Sequence, residues 1–340
     1  TRCAFFARAL WKPRFPIIIG LMNTKVLSTL EYDKILALLK SHTASDVGRE
    51  FADALLPAAS LRDAETLLQQ TEEADGVYRR SGRTPIAAFP DIRALLGRLH
   101  AALAVSTGEL LAIASVLRAS REARNALQLG DADGLLCNMA NQLASHRAVE
   151  DEIARCILAE DEIADQASPE LARIRRQMKI ASERVREKLN QMIKSPTTQK
   201  YLQEPIITVR NGRYALPVKA EHRAQVPGLV HDQSSSGATL FIEPAAVVEL
   251  GNEFKRLLAE EKAEIDRILA GLTALVAPYE SELYGSITVL GTLDVIFARA
   301  VLARDLRASR PRLNGEGRIH MVRGRHPLLP AQSVVPLDIW

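Results

Sequence analysis

Apolar residues recur at helical spacing along most of this chain, as in helices with one apolar face. In the first half of the chain each such apolar stripe covers only a short segment. Between residues 26 and 159 the apolar positions fall three and four residues apart, with breaks at positions such as Pro57, Pro85 and Gly130. Ser60 directly precedes one stripe, where a hydroxyl suits the N-cap of a helix. The pattern predicts an all-helical core of short amphipathic helices.

Two longer apolar stripes predict a helical hairpin. The first follows Ser168 and Pro169, which suit a cap and a first turn, and it ends near Lys194. The second begins after Pro244. Because the two helices are of similar length and a self-contained insert separates them, we expect them to pair antiparallel as a coiled-coil lever. The stripes consist of Leu171, Ile174, Met178, Ala181, Val185, Leu189 and Met192, and of Leu250, Phe254, Leu257, Ile265, Ile268, Leu272, Leu275 and Tyr279.

The insert, residues 203–243, is typical of β structure. Asn211-Gly212 lies between two β-rich runs and favours a type I′ hairpin, because both central residues of that turn need positive φ. A second strand pair is predicted at 226–231 and 238–242, joined by a Ser-rich loop. The prediction is therefore a mainly α fold: a helical core plus a long antiparallel lever that carries a small four-stranded β clamp.

Composition and charge narrow the class of protein. The chain is 47% hydrophobic and 25% charged over 340 residues, as folded soluble proteins are. No window approaches 18 uninterrupted apolar residues, so we expect no membrane partner. Cys3, Cys137 and Cys156 match neither a zinc module nor a disulfide framework, which favours a reducing, cytoplasmic setting. The basic stretch 1–21 is interpreted as a leader outside the fold, with a transit peptide as an alternative.

The first lever helix is basic. Residues 171–202 contain nine Lys or Arg against Glu183 and Glu187, and a basic face on an extended helix is the footprint of a polyanion binder. A solvated surface is the alternative. Residues 299–325 contain eight Arg and form a second basic segment. The candidate nucleic-acid-binding residues on the lever are Arg173, Arg175, Arg176, Lys179, Arg184 and Arg186.

The Ser-rich loop of the insert is a second candidate for phosphate binding. Successive backbone N–H groups and three hydroxyls can hold phosphate oxygens without reading bases, and an ordinary polar hairpin loop is the alternative. The serines are Ser234, Ser235 and Ser236, and the nearby cations are Arg210, Arg213, Lys219 and Arg223.

Catalytic and metal chemistry are not predicted. The chain contains no GxxxxGK[ST] phosphate loop, so we expect it to bind no ATP by that route. His231, Asp232 and the serines suggest a Ser-His-Asp arrangement, but neighbours in a strand point to opposite faces. His320 and His326 lack the spacing of a metal site. We therefore expect no catalytic residues, no metal and no cofactor in this stretch.

Several segments closely resemble the bacterial MutS-II family, paralogues of the mismatch-repair protein MutS. Residues 211–221 (NGRYALPVKAE) and 226–244 (VPGLVHDQSSSGATLFIEP) are similar to that family's clamp. Residues 22–35 (MNTKVLSTLEYDKI) are similar to its N-terminus, which makes Met22 the expected native start. Residues 325–329 (RHPLL) are similar to the segment that leads into a MutS-type ATPase domain.

The resemblance implies a domain plan and a function. The clamp would close around branched DNA or collided ribosomes when ATPase domains of the parent protein, with ATP and Mg²⁺, form a homodimer. It would act in suppression of recombination or in ribosome rescue, and many family members also carry a small nuclease domain. The expected segments are a leader (1–21), helical core (22–166), first lever helix (167–202), clamp (203–243), second lever helix (244–282), return helix (283–316) and start of the ATPase domain (317–340).

Two other functions stay open at this point. The first is a noncatalytic helical scaffold that binds a protein partner through the apolar seam of the lever. The second, a hydrolase that uses His231, has little support from the spacing of its residues.

Overall fold

A computed structural model describes residues 24–100, 105–130, 133–330 and 332–340. The expected leader, Cys3 and Met22 lie outside the described residues. The helices are α1 (Thr24–Thr29), α2 (Tyr32–Lys40), α3 (Asp46–Asp53), α4 (Leu61–Ser81), α5 (Arg93–His100), α6 (Thr107–Gln128), α7 (Leu135–Ala140), α8 (Arg147–Cys156), α9 (Pro169–Lys194), α10 (Pro196–Gln199), α11 (Ala245–Val276) and α12 (Glu280–Asp305). The strands are β1 (Ile157–Ala159), β2 (Glu162–Ile163), β3 (Thr208–Arg210), β4 (Arg213–Lys219), β5 (Gly228–Gln233), β6 (Thr239–Pro244), β7 (Met321–Gly324) and β8 (Leu337–Ile339).

This is a mainly α fold with small antiparallel sheets, as the sequence predicts. The chain divides into two compact units. The first unit contains the described residues up to Gly97, Ala112–Arg147 and Tyr279–Trp340. The second contains the described residues of Arg98–Leu111 together with Ala148–Pro278, and so includes α9, the four-stranded sheet and α11.

The first unit is built around α12, which packs against α2, α3 and α4. Asp294 of α12 is buried, and its carboxylate accepts hydrogen bonds from the backbone N–H groups of Ala44 and Ser45 and from the Ser45 hydroxyl. Ser45 in turn caps α3 by accepting from the Gly48 N–H at 2.9 Å. Burial raises the pKa of Asp294 above its ordinary value. The start of α3 is thereby fixed to the middle of α12.

The apolar character of the helical stretch Ala245–Asp305 comes from packing inside the protein. By length and composition this stretch passes as a membrane span, but 67% of its most apolar window is buried. A buried apolar helix is typical of a protein core, so the stretch is weak evidence for a membrane span.

The two lever helices pack antiparallel, as expected. Ser168, before α9, contacts Glu264, whereas Val185 and Leu189 share a cluster with Val247, so the partner's number falls as the number along α9 rises. Ser168 caps α9 through the Leu171 N–H at 2.9 Å, and Pro169 occupies the first turn. The seam prediction for α9 is thus confirmed by the burial of Leu171, Ile174, Ala181, Val185 and Leu189.

Of the predicted seam of α11, Leu257, Ile268 and Leu272 are buried, whereas Leu250, Phe254 and Ile265 are half-buried and Tyr279 follows the end of the helix at Val276. Leu275 is 38% exposed, and Val276, four residues after Leu272, is buried in its place. Glu264 of α11 is also buried, although the pattern of apolar residues does not predict a buried charged residue at this position. The domain boundaries inferred from the resemblance stay predictions.

The four strands of the clamp form one antiparallel sheet in the order β3-β4-β6-β5. Asn211 and Gly212 both have positive φ, 50° and 70°, which confirms the predicted hairpin between β3 and β4. β5 extends two residues further into the Ser-rich loop than predicted, to Gln233, whereas β6 begins at Thr239, one residue later than predicted. The register of β5 shifts at His231, which is a bulge.

One face of the sheet packs on the lever. Leu216, Val218 and Ile242 form a hydrophobic cluster with Val185 and Leu189 of α9. The clamp and the lever therefore share a core within the second unit.

Candidate nucleic-acid interface

Two of the six candidate cations on the lever are tied into ion pairs at its base. Arg173 donates to Glu170 at 2.6 and 2.9 Å and to Gln177. Arg175 donates to Glu261 of α11 at 2.7 Å and to Asp165 at 2.6 Å. Because these guanidinium groups already bind carboxylates, a phosphate would have to compete with the carboxylates for the guanidinium groups.

A third charged pair in the same region adds to this bracing. Glu264 accepts from Arg267 at 2.6 and 2.8 Å and from the Ser168 hydroxyl at 2.6 Å. These hydrogen bonds lower the pKa of Glu264 from 4.5 to about 2, because they favour its ionised form. The base of the lever is therefore an internal network of charges.

The remaining four candidate cations face solvent, and we call them the exposed lever cations: Arg176, Lys179, Arg184 and Arg186. Among the described residues, none of them forms an ion pair with a carboxylate. Arg186 lies 5.7 Å from the centre of the Tyr214 ring of the clamp, a cation–π distance. Glu183 and Glu187 are exposed on the same helix and reduce the local positive charge. The exposed lever cations thus lie from Arg176 onward along α9.

The turn between β3 and β4 lies against β5 and β6. The guanidinium of Arg210 lies 4.3 Å from the centre of the Phe241 ring, and its Nε is 3.3 Å from Asp232 Oδ2. Asn211 donates its side-chain amide to the His231 carbonyl at 2.9 Å. Arg210 therefore helps to hold the hairpin in place.

Arg213 belongs to a buried charge network. It donates to the carboxylate of Glu243, which is 1% exposed, at 3.2 Å, and to Asn252 of α11 at 2.7 Å. His231 contacts the other oxygen of Glu243 at 2.6 Å. A Cβ at Gly251 would overlap this carboxylate and lie 2.8 Å from Nη1 of Arg213. The network therefore joins β4, β5 and β6 to α11. Within it, the imidazole of His231 contacts the Glu243 carboxylate.

Lys219 and the Ser-rich turn meet at the opposite end of the sheet from Arg213. Lys219 pairs with Thr239 in the ladder, and the Ala220 N–H donates to the Ala238 carbonyl at 2.9 Å. Lys219 follows Arg213 by six positions along β4, about 20 Å of extended chain. The candidate residues of the sheet thus fall into two groups, with Arg210 and Arg213 at one end and Lys219 and the Ser-rich turn at the other. Arg223 is exposed in the 3₁₀ segment Ala220–Gln225 that follows β4.

The Ser-rich turn uses part of its own hydrogen-bonding capacity. The Ser234 hydroxyl accepts from the Thr239 N–H at 3.0 Å, and the Gly237 N–H donates to the Ser234 carbonyl at 2.8 Å. Ser235 and Ser236 are exposed. The Ser235 and Ser236 hydroxyls, at the tip of the turn, are therefore the two of the three that are exposed to solvent. A phosphate contact of this turn stays a prediction.

Part of the second basic segment is neutralised within the first unit. Arg304 pairs with Asp75 of α4 at 2.9 Å and lies over the Tyr78 ring, and Arg310 pairs with Glu72. Burial lowers the pKa of Arg299 to about 10, and its guanidinium donates to the Gln70 amide oxygen. These arginines hold the chain around α12 to α4.

Within the described parts of the chain, no group of three or more His, Cys, Asp and Glu side chains is placed to hold a metal ion. Sequence reasoning missed Glu243, Gly251 and Glu264. A buried Glu cannot be recognised from the pattern of apolar residues. Gly251, a glycine within a helix, is the kind of residue that allows another group to approach the helix backbone closely.

No protein-family model matches the chain. It is 44% identical over 323 residues to a protein named endonuclease MutS2 from Acetivibrio thermocellus, and 44% identical over 322 residues to one from Ruminiclostridium cellulolyticum. A protein of the same name from Pelotomaculum thermopropionicum is 46% identical over 319 residues. Each alignment covers 94% of this chain and 40% or 41% of the relative. The chain is thus homologous to the MutS2 proteins of the MutS family over nearly all of its own length, and it spans about two fifths of theirs.

Proposed function

We propose that this chain is the nucleic-acid-binding core, lever and clamp region of a MutS2 protein. In this proposal the clamp closes around branched DNA or collided ribosomes, and ATP- and Mg²⁺-dependent dimerisation elsewhere in the protein controls the closure. The activity would serve suppression of recombination or ribosome rescue in the cytoplasm. Nuclease activity, which the name of the relatives states for them, would belong to the parent protein as a whole.

The observation that carries the proposal is the set of exposed lever cations on the helix next to the clamp. Their charge faces solvent, whereas the cations at the lever base are held by Glu170, Asp165 and Glu261. Exposed cations that meet no internal carboxylate are available to neutralise phosphates and to release the counterions condensed on a nucleic acid. Net attraction to a polyanion is the expected result.

The alternative is a noncatalytic scaffold that binds a protein through the lever seam. It has less support, because seam residues such as Leu171, Val185 and Leu189 are buried within the second unit. A protein partner would need another face of the lever.

The test replaces Arg176, Lys179 and Arg184 together by Glu. Duplex DNA, branched DNA and purified ribosomes are titrated with the unaltered chain and with the variant at several salt concentrations. We expect the unaltered chain to bind less tightly as salt rises. The variant should lose most of this affinity, and the slope of log affinity against log salt should fall by about three.

A matched control changes three cations of α11, Lys255, Arg256 and Lys262, to Glu. Affinity close to that of the unaltered chain is expected for this control, and circular dichroism melting checks that both variants fold. Unchanged affinity in the α9 variant, or an equal loss in the control, would contradict a specific role for the exposed lever cations.

A further inference from the structure

The buried carboxylate of Glu243 is the centre of a charge network that connects the clamp sheet to α11. Its partners are Arg213 of β4, His231 of β5 and, through Arg213, Asn252 of α11, and we call these four residues the Glu243 network. Glu243 is 1% exposed, and the side chains of Arg213 and His231 are 13% and 19% exposed. Charged and polar side chains thus connect three neighbouring strands with one helix.

The backbone around Glu243 leaves room for these side chains. A Cβ at Gly251 of α11 would lie 2.3 Å from Oε1 of Glu243, and a Cβ at Gly228 of β5 would lie 2.1 Å from the Glu243 carbonyl oxygen. The bulge in β5 falls at His231, and a bulge changes the direction in which a side chain points. Two glycines and a bulge therefore accommodate the network within the packing of the sheet on α11.

The Glu243 network is poorly suited to stabilise the fold. Arg213 donates to Glu243 through a single contact at 3.2 Å, whereas strong arginine–carboxylate pairs are bidentate and shorter. The Nε of Arg213 is buried and has no hydrogen-bond partner among the residues that the structure describes. Because the loss of hydration of two buried charges offsets their attraction for each other, such a pair adds little to the free energy of unfolding.

The apolar contacts between the clamp and the lever do not by themselves fix the orientation of the sheet. Leu216 and Ile242 of the sheet and Leu189 of α9 belong to one cluster of aliphatic side chains. Hydrophobic attraction is non-directional, so an aliphatic cluster can pack in several orientations of similar free energy. Hydrogen bonds and ion pairs depend on distance and angle. The Glu243 network therefore distinguishes orientations that the aliphatic cluster does not.

We infer that the Glu243 network positions the clamp sheet on α11, and that it contributes a unique geometry rather than stability. The purpose of this positioning rests on the proposed function, because a clamp that closes around a nucleic acid needs a defined direction relative to the helix that carries it. Replacement of the whole network by apolar side chains leaves no unpaired buried charge, whereas removal of one partner does. The replaced chain should therefore stay folded while its sheet loses a single orientation.

The main variant carries Arg213→Met, Glu243→Leu and His231→Phe. It removes one guanidinium and one carboxylate, so the formal net charge with neutral histidine does not change. Spin labels at the exposed positions Ser235→Cys and Lys262→Cys measure the distance between the sheet and α11, in a chain whose three native cysteines are replaced by alanine.

We expect one narrow distance distribution with the native network and a broad or divided distribution in the triple variant. The urea midpoint of the triple variant should equal or exceed that of the labelled chain with the native network. Duplex DNA is titrated with the same proteins. If the competent orientation falls to about a tenth of the population, the affinity of the triple variant falls about tenfold.

Tyr214→Phe is the matched control on the opposite face of β4. The Tyr214 hydroxyl lies 2.8 Å from the Ser182 hydroxyl of α9, so this variant removes a polar contact between clamp and lever and keeps the Glu243 network. Its distance distribution should stay narrow. Asn252→Ala is a milder variant in case the triple variant does not fold, because Asn252 is exposed and its side chain provides the hydrogen bond between Arg213 and α11. It should broaden the distribution by a smaller amount.

These measurements separate positioning from stability. A narrow distribution in both the triple variant and Asn252→Ala would overturn the inference, and so would equal broadening in Tyr214→Phe. A urea midpoint of the triple variant well below that of the chain with the native network would show that the network acts through stability. An unaltered chain that does not bind duplex DNA would remove the proposed function, and the distance distributions would still decide whether the network positions the sheet.

Discussion

At Gly251, the absence of a side chain allows a buried carboxylate to approach α11. Glu243 and Arg213 fill the space that a Cβ would occupy, so the glycine makes room for a charge network rather than for a turn. Gly271, further along α11, has no atom within 4 Å of a built Cβ and is exposed. The same residue type in one helix therefore has two different physical environments.

The substitution Gly251→Ala should destabilise the chain by about 2 kcal/mol or more, because the new methyl group displaces one partner of a buried ion pair. Gly271→Ala is the matched control and should stabilise by about 0.5–1 kcal/mol through helix propensity alone. Urea unfolding of both variants measures the difference. Similar changes in the free energy of unfolding for the two variants would show that the charge network accommodates a methyl group at position 251.

Glu264 makes stability depend on pH in acid. Its folded-state pKa of about 2 lies below the ordinary 4.5, so its contribution is complete above about pH 4.5 and is lost as the pH falls toward 2. Glu264→Gln should therefore be less stable than the unaltered chain at pH 7, with a gap that narrows between pH 4.5 and pH 2. Urea midpoints at pH 7, 4 and 2.5 test this, with the exposed Glu249→Gln as control. A stability difference between Glu264→Gln and the unaltered chain that stays constant with pH would contradict a lowered pKa of Glu264.

At the scale of elements, the lever and the clamp depend on each other. The seam of α9 continues into the cluster under the sheet, where Val185 and Leu189 contact residues of β4 and β6. Nearer the base, Ile174, Ala181 and Leu257 form a separate cluster, and the clamp contacts it through the Tyr214 ring, whose centre lies 6.3 Å from that of Phe254. The expectation of a self-contained insert therefore holds for its hairpins, whose turns are local, and not for its packing.

Replacing residues 203–243 by a short Gly-Ser turn should weaken the outer half of the lever. Val185, Leu189 and Val247 would lose their apolar partners, and each buried side chain that becomes exposed costs about 1.5–3 kcal/mol. We expect a lower melting temperature by circular dichroism, and faster hydrogen exchange near Val185 than near Ile174. Unchanged melting and exchange would instead indicate an autonomous clamp.

At the scale of the whole molecule, the formal charge of +3 conceals an uneven distribution. Charges near the base of the lever pair with one another, and Arg304 of α12 and the following Arg310 pair with carboxylates of α4. The exposed lever cations keep their charge toward solvent. A nearly neutral protein can thus present a local polyanion-binding surface, since attraction at contact depends on nearby charges more than on the net charge.

Local sequence signals specify the lever helices and the first clamp hairpin. The 3.6-residue period specified the lever helices, Ser168 and Pro169 marked the start of α9, and Asn211-Gly212 marked the clamp hairpin. Each of these signals depends on residues a few positions apart, and such local preferences are largely independent of the rest of the chain.

Which cations are neutralised depends on tertiary packing. Arg175 is neutralised by Glu261, 86 residues away, and Arg213 by Glu243, 30 residues away. The fold likewise brings Lys200 to Lys219, 19 residues apart. Partners at such separations are set by the packing of α9 on α11 and by strand register, which the charge pattern along one helix does not contain.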